Sequence, residues 1–273
     1  MHDSANGLMH VYLPLMLQLH FKRYGETGTP LLILHGFLGS LDNWHTLATA
    51  LGEAGFVVFA IDQRNHGKSP HTREHSLQLM ADDVKDFCQQ QQLNSVILLG
   101  HSMGGKVAMR FALDHPEKVA RLIVADIAPR AYKPGAHDEV FKAIFNVQLD
   151  KIATRKEAEE QMKAWLGDFG TRQFILKSLE RTESGFKWKF NIETLYREYN
   201  QAILAVENDT PVNVPALFIR GALSLYVREE DKSGIIQLFP QAQFETIENA
   251  GHWLHADQPA LFLAKILGFV KQQ

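Results

Sequence analysis

A single cysteine, Cys88, stands in a chain of 273 residues. No disulfide can form within the chain, and a disulfide-stapled secreted scaffold is excluded; the composition favours a reducing compartment, so a cytoplasmic location is expected. Basic charge is not in excess either. Lys and Arg number 28 against 31 Asp and Glu, for a net charge of -3, which leaves no electrostatic footprint for nucleic acid. No apolar run is long enough to span a membrane. The nearest, Met9 to Leu19, is broken by His10, Pro14 and Gln18 and has no basic lead-in, so neither a membrane span nor a signal peptide is expected. Residues before Leu13 are expected to be an extension ahead of the folded core. No internal repeat is visible.

What the chain does have is a content of 45% hydrophobic residues, enough to bury one large core. Strand-like runs near 17 to 23, 31 to 35, 56 to 61, 95 to 100, 121 to 126, 215 to 220 and 243 to 247 alternate with helical patterns. That alternation predicts an α/β fold with a mostly parallel sheet flanked by helices.

The most informative segment is Val96-Ile97-Leu98-Leu99 followed by Gly100-His101-Ser102-Met103-Gly104. An apolar strand runs into a serine between two glycines. Behind it Gly104, Val107, Ala108, Phe111 and Ala112 recur at helical spacing. A tight strand-to-helix turn of this kind projects a hydroxyl clear of the backbone, and it marks Ser102 as a candidate nucleophile. A serine hydroxyl needs a base. Gly251-His252-Trp253, late in the chain and just after the strand-like Gln243 to Ile247, makes His252 the candidate. Leu31 to Leu34 followed by His35-Gly36-Phe37-Leu38-Gly39 reads as a strand entering a glycine loop that can aim a backbone N–H at a developing oxyanion. Phe37 and Met103 are the two candidate donors.

These segments, in this order, resemble the α/β-hydrolase superfamily from the His35-Gly36 loop to His252. Asp62-Gln63-Arg64-Asn65-His66-Gly67-Lys68-Ser69 resembles the superfamily's loop after the next strand, where Asp and Arg are structural. The resemblance implies an acid that orients the histidine, usually in the loop after the post-cap strand. Here that strand, Ala216 to Arg220, is followed by Gly221-Ala222-Leu223-Ser224-Leu225-Tyr226-Val227, with no carboxylate. Glu229, Glu230 and Asp231 come next and read as a solvated helix start. Leu122 to Pro129 instead ends a strand on Asp126, at the same carboxyl edge as Ser102 and His252. Some branches of the superfamily take their acid there, and Asp126-Ile127-Ala128-Pro129 is similar to the small YbfF-like esterase and thioesterase branch. The acid is assigned to Asp126, with Glu229, Glu230 or Asp231 as the alternatives.

The resemblance also implies a helical cap, inserted after the sixth strand. The expected divisions are a first core part at 13–129, a cap at 130–211 and a second core part at 212–273. Phe186-Lys187-Trp188-Lys189-Phe190 alternates, and its aromatic face is expected to point inward, either as cap core or as acyl pocket. His35 and Trp188 are the candidate substrate-pocket residues. His71-Thr72-Arg73-Glu74-His75 has zinc-like spacing but lies in a loop-like stretch and lacks a further ligand, so no metal is assigned. The expected activity is hydrolysis of a small-molecule ester or acyl thioester, such as an acyl-CoA, with no cofactor, by a monomer or small homo-oligomer. A same-fold lyase or synthase, a cofactor-free haloperoxidase and a ligand-binding protein without catalysis remain open at this stage.

Overall fold

A computed structural model describes residues 16–271; the expected extension before Leu13 lies outside them. Among the described residues seven strands form one sheet in the order β1-β3-β2-β4-β5-β8-β9. They are β1 (Phe21–Tyr24), β2 (Thr29–Leu34), β3 (Phe56–Ile61), β4 (Val96–His101), β5 (Val119–Ala125), β8 (Ala216–Gly221) and β9 (Ala242–Ile247). Only β1 is antiparallel to its neighbour; the remaining pairs are parallel, with Leu31 to Leu34 in register with Ile97 to Gly100. The central strands are buried on both faces, which is why they read as unbroken apolar runs rather than alternating ones.

Side-chain alternation divides the core in two. Leu32, Leu34, Leu98, Leu122 and Val124 face Phe87 and Phe111 of α2 (Leu77–Gln90) and α3 (Met103–Asp114). Leu31, Ile33, Ile97, Leu99 and Ile123 face Trp44, Phe262 and Phe269, beneath α1 (His45–Glu53) and α11 (Pro259–Val270). Burying these strand side chains on both faces contributes roughly 1.5–3 kcal/mol per large residue. Cys88 lies inside the first layer.

Between β5 and β8 the chain leaves the sheet and forms α4 (Asp138–Phe145), α5 (Arg155–Lys163), α6 (Phe169–Leu176), the hairpin β6 (Leu179–Thr182) with β7 (Gly185–Trp188), α7 (Ile192–Arg197) and α8 (Tyr199–Ala202). It then closes with α9 (Asp231–Leu238) and α10 (Leu254–Asp257) around β9. Among the described residues the insertion follows the fifth strand of the large sheet, not the sixth, because a single strand precedes β2. It is also not purely helical, since residues 179–188 pair as a hairpin. The insertion has its own core of Val140, Ile144, Met162, Ile175, Leu179 and Phe190, and Phe186 and Trp188 pack against it.

Among the described residues no helix is long and apolar enough to cross a membrane.

Candidate active site

Ser102 sits between β4 and α3 with φ 54° and ψ -122°. That is left-handed backbone, which a non-glycine residue occupies at a cost of about 1–3 kcal/mol where the surroundings enforce it. Here they do. Its N–H donates to Ala125 O of the neighbouring strand at 3.0 Å, while its carbonyl accepts from Gly105 and Lys106 in the first turn of α3. The flanking glycines answer to space. A Cβ at Gly100 would collide with the Gly104 carbonyl, and one at Gly104 would collide with the carbonyls of Leu34 and His35.

His252 reaches this hydroxyl from the loop after β9, with Nε2 3.0 Å from Ser102 Oγ. Its Nδ1 lies 2.7 Å from Asp126 Oδ2. With the carboxylate as acceptor, Nδ1 carries the hydrogen and Nε2 is left free to accept from the serine. His252 is held from two further sides, at its ring and at its backbone. Tyr226 stacks on it with ring centroids 3.8 Å apart and planes 16° from parallel, and His101 Nε2 donates to the His252 carbonyl at 2.8 Å.

Asp126 is fully buried and follows β5 with φ 52°. A buried carboxylate requires donors for both oxygens. Oδ1 accepts from Gly221 N–H at 3.1 Å, and Oδ2 accepts from the Ser224 hydroxyl as well as from His252. Gly221 and Ser224 belong to the loop after β8 that holds no carboxylate. That loop brings donors to the Asp126 carboxylate and supplies no carboxylate of its own. Ser224, Tyr226 and His101 were not identified from the sequence; Ser224 was legible only as a hydroxyl in a segment searched for carboxylates. Glu229 and Glu230 are exposed and bond Lys232 and Arg228, while Asp231 Oδ1 lies 2.9 Å from Arg130 Nε. None of the three contacts His252.

The loop after β2 turns through a Gly39 N–H to Gly36 O bond at 3.0 Å, with Leu38 at φ 61°. Among the described residues no protein acceptor takes the Phe37 or Met103 amide. Two buried histidines brace the loop. His66 Nε2 accepts from Leu38 N–H at 3.1 Å while its Nδ1 donates to Arg64 O. His35 Nε2 accepts from Gln63 N–H at 3.0 Å while its Nδ1 donates to Gly36 O. Burial, first of all, holds both imidazoles below the ordinary histidine range, and each needs its neutral form to accept an amide. Asp62 accepts from Leu41 N–H, Lys68 N–H and His20, a turn-holding role. His75 is buried beside His66, whereas His71 is exposed.

Two cavities meet at Ser102. One, of about 240 Å³, runs from Met103 and Ile127 past Tyr132 and Ala202. The other, of about 550 Å³, passes His252 and Trp253 toward Phe174 and Ile175 of the insertion. Phe37, His137 and Tyr226 border both. The two expected pocket residues lie elsewhere. His35 is buried behind the Phe37 loop and Trp188 borders a separate surface hollow with His71 and Lys189, stacked on Phe190 at 5.3 Å. A histidine beside a glycine loop and a tryptophan in an alternating run do not reveal which way tertiary packing turns them.

Lys106, one turn beyond Ser102 on α3, is 1% exposed. Its ammonium donates to the carbonyls of Pro129, Arg130 and Leu204 at 3.3, 2.9 and 2.6 Å, tying the elbow helix to both ends of the insertion. Burial, and secondarily the nearby Arg130, pull its pKa down to about 7.

Comparison with known proteins agrees with this architecture. A family model described as alpha/beta hydrolase fold matches residues 29–259. The sn-1-specific diacylglycerol lipase ABHD11 of Mus musculus is 36% identical over 263 residues, covering 94% of this chain and 86% of that protein. Esterase YbfF of Escherichia coli is 37% identical over 241 residues, covering 88% and 92%. The solved structure of a marine microorganism esterase superposes with a TM-score of 0.89 at 44% identity, covering 93% of this chain and 99% of that one. The chain belongs to the α/β-hydrolase family, in its branch of YbfF-like esterases.

Proposed function

We propose that the chain is a serine hydrolase of carboxylic esters and acyl thioesters, with Ser102 as nucleophile, His252 as base and Asp126 as the acid that orients it. The observation that carries this reading is the unbroken chain Ser102 Oγ, His252 Nε2, His252 Nδ1, Asp126 Oδ2, with links of 3.0 and 2.7 Å. His252 takes the Ser102 proton as Oγ bonds to the substrate carbonyl carbon. The oxyanion so formed meets the free amides of Phe37 and Met103, where loss of one such donor costs about 3 kcal/mol of transition-state stabilisation. The leaving oxygen or sulfur departs with the proton held on His252. Water then attacks the acyl-enzyme, giving its proton to His252, and Ser102 recovers its proton as the acid is released.

Nothing in this sequence of steps draws on a metal or an organic cofactor. The insertion covers the two cavities and limits bulk water around the reacting carbonyl. The single buried thiol fits an enzyme of the cytoplasm. Purified protein is expected to hydrolyse short 4-nitrophenyl esters and acyl-CoA thioesters, and Ser102→Ala to abolish both. Retained turnover in that variant contradicts the reading.

A further inference from the structure

The two cavities at Ser102 carry opposite charge. The smaller is lined by Lys106, Arg130, Lys133 and Arg228 and, among the described residues, by no carboxylate. The larger is lined by Glu139 and Asp168 and, among the described residues, by no lysine or arginine. Some of the positive charge in the smaller cavity is spent locally: Arg130 lies against Asp231, and Arg228 pairs with Glu230 at 3.0 Å. Lys106 and Lys133 have no carboxylate partner among the described residues. Lys106 gives its three N–H donors to the carbonyls of Pro129, Arg130 and Leu204 and leaves none for a ligand, so Lys133 is the cation that faces this cavity without a carboxylate partner among the described residues. Phe37, Ile127, Ala202 and Ile203 make an apolar stretch of the same wall.

The position of His252 says which half of a substrate each cavity receives. The leaving atom must lie within reach of Nε2 to take its proton. His252 and Trp253 line the larger cavity and not the smaller, so the leaving group occupies the former. The acyl group extends past Met103 into the latter. We propose that the smaller cavity is an acyl subsite for a chain that ends in a carboxylate, which makes half-esters or thioesters of dicarboxylic acids the favoured substrates. The methylenes lie along the apolar wall and the anionic end meets Lys133 and the arginines, while the acidic side chains of the larger cavity disfavour the reverse orientation.

This inference rests on the ester-hydrolase reading above, and the test separates the two. The mono-4-nitrophenyl ester of adipic acid is compared with 4-nitrophenyl hexanoate, which has the same chain length and no carboxylate. A second pair places the carboxylate on the phenol of a butyrate ester. At low ionic strength kcat/KM is expected to be about tenfold higher for the adipate, as suits one anion near several partly solvated cations. The gap is expected to narrow as salt is added, and the ratio to fall toward one in Lys133→Gln combined with Arg228→Gln. Equal rates for adipate and hexanoate, or a preference for charge only on the phenol side, overturn the subsite while leaving ester hydrolysis intact. Turnover of neither ester overturns the hydrolase reading and the subsite with it.

Discussion

Replacing Asp126 by asparagine changes one atom and reverses a hydrogen. The structure fixes how the amide must sit. Oδ1 faces the Gly221 N–H at 3.1 Å, so that position has to remain an acceptor, and the carbonyl of the asparagine occupies it. The NH2 then takes the place of Oδ2, against His252 Nδ1 and the Ser224 hydroxyl. Facing a donor, Nδ1 becomes an acceptor, and the imidazole hydrogen moves to Nε2. The ring atom 3.0 Å from Ser102 Oγ can no longer take its proton. A wrong tautomer of this sort lowers kcat by about 10⁴, roughly 5.5 kcal/mol of barrier. Because Ser224 can turn its hydroxyl to accept from the amide, the fold is expected to survive. Turnover of a 4-nitrophenyl ester, read beside the thermal midpoint, makes the assay. Glu230→Gln is expected to stay within about twofold of the parent, since the exposed Glu230 carboxylate pairs with Arg228 and lies away from His252. A folded Asp126→Asn protein that keeps more than a tenth of the parent kcat refutes the assignment.

Other outcomes follow from the same geometry. Ser224→Ala removes one donor from buried Asp126 and leaves His252 as the sole partner of Oδ2; kcat is expected to fall about tenfold with KM little changed, and an unaltered kcat means the hydroxyl is idle. Gly104→Ala sets a methyl against the Leu34 and His35 carbonyls and is expected to lower stability by more than about 2 kcal/mol, measured by chemical denaturation; a loss under about 0.5 kcal/mol contradicts the close approach. Acid is expected to unfold the protein early. Burial lowers His75 and His255 to about 3 and His137 to about 4 from an ordinary 6.5. Between those values the unfolded chain holds more protons than the folded one, so stability declines as pH drops below 6.5. At pH 5 each contributes a loss of about 2 kcal/mol, about 6 kcal/mol together. A thermal midpoint that stays level from pH 7 to 5 refutes this.

The positions of Ser102 and Asp126 were legible because each sits where a buried strand ends, and a buried parallel strand announces itself as a short apolar run; His252 follows the partly exposed edge strand β9 and was legible from its late place in a glycine turn. The mostly parallel sheet with helices on both faces follows from the same runs; the order of its strands was not read from the sequence. Side chains whose roles depend on contacts from distant segments were not legible. Ser224 lies 98 positions from Asp126, and nothing near it marks a hydroxyl aimed at a carboxylate. Trp188 alternates with its neighbours as expected, yet alternation is blind to which hollow the inward face meets; it packs against the insertion's own core and away from Ser102. The hairpin at residues 179–188 was visible only as that alternation, inside a region otherwise helical in pattern. Lys106 shows the limit most clearly. On α3 it occupies a position of the helix face that packs inward, and only the carbonyls of Pro129, Arg130 and Leu204 make a buried ammonium there tenable.

The account stands or falls on a covalent acyl-enzyme at Ser102. Mixing the protein with a slowly deacylating 4-nitrophenyl ester, quenching in acid and weighing the intact chain and its peptides tests it directly. The predicted result is a mass gain of one acyl group per chain on the peptide containing Ser102, absent in Ser102→Ala. Ester turnover with no adduct, or with the adduct on another residue, contradicts it.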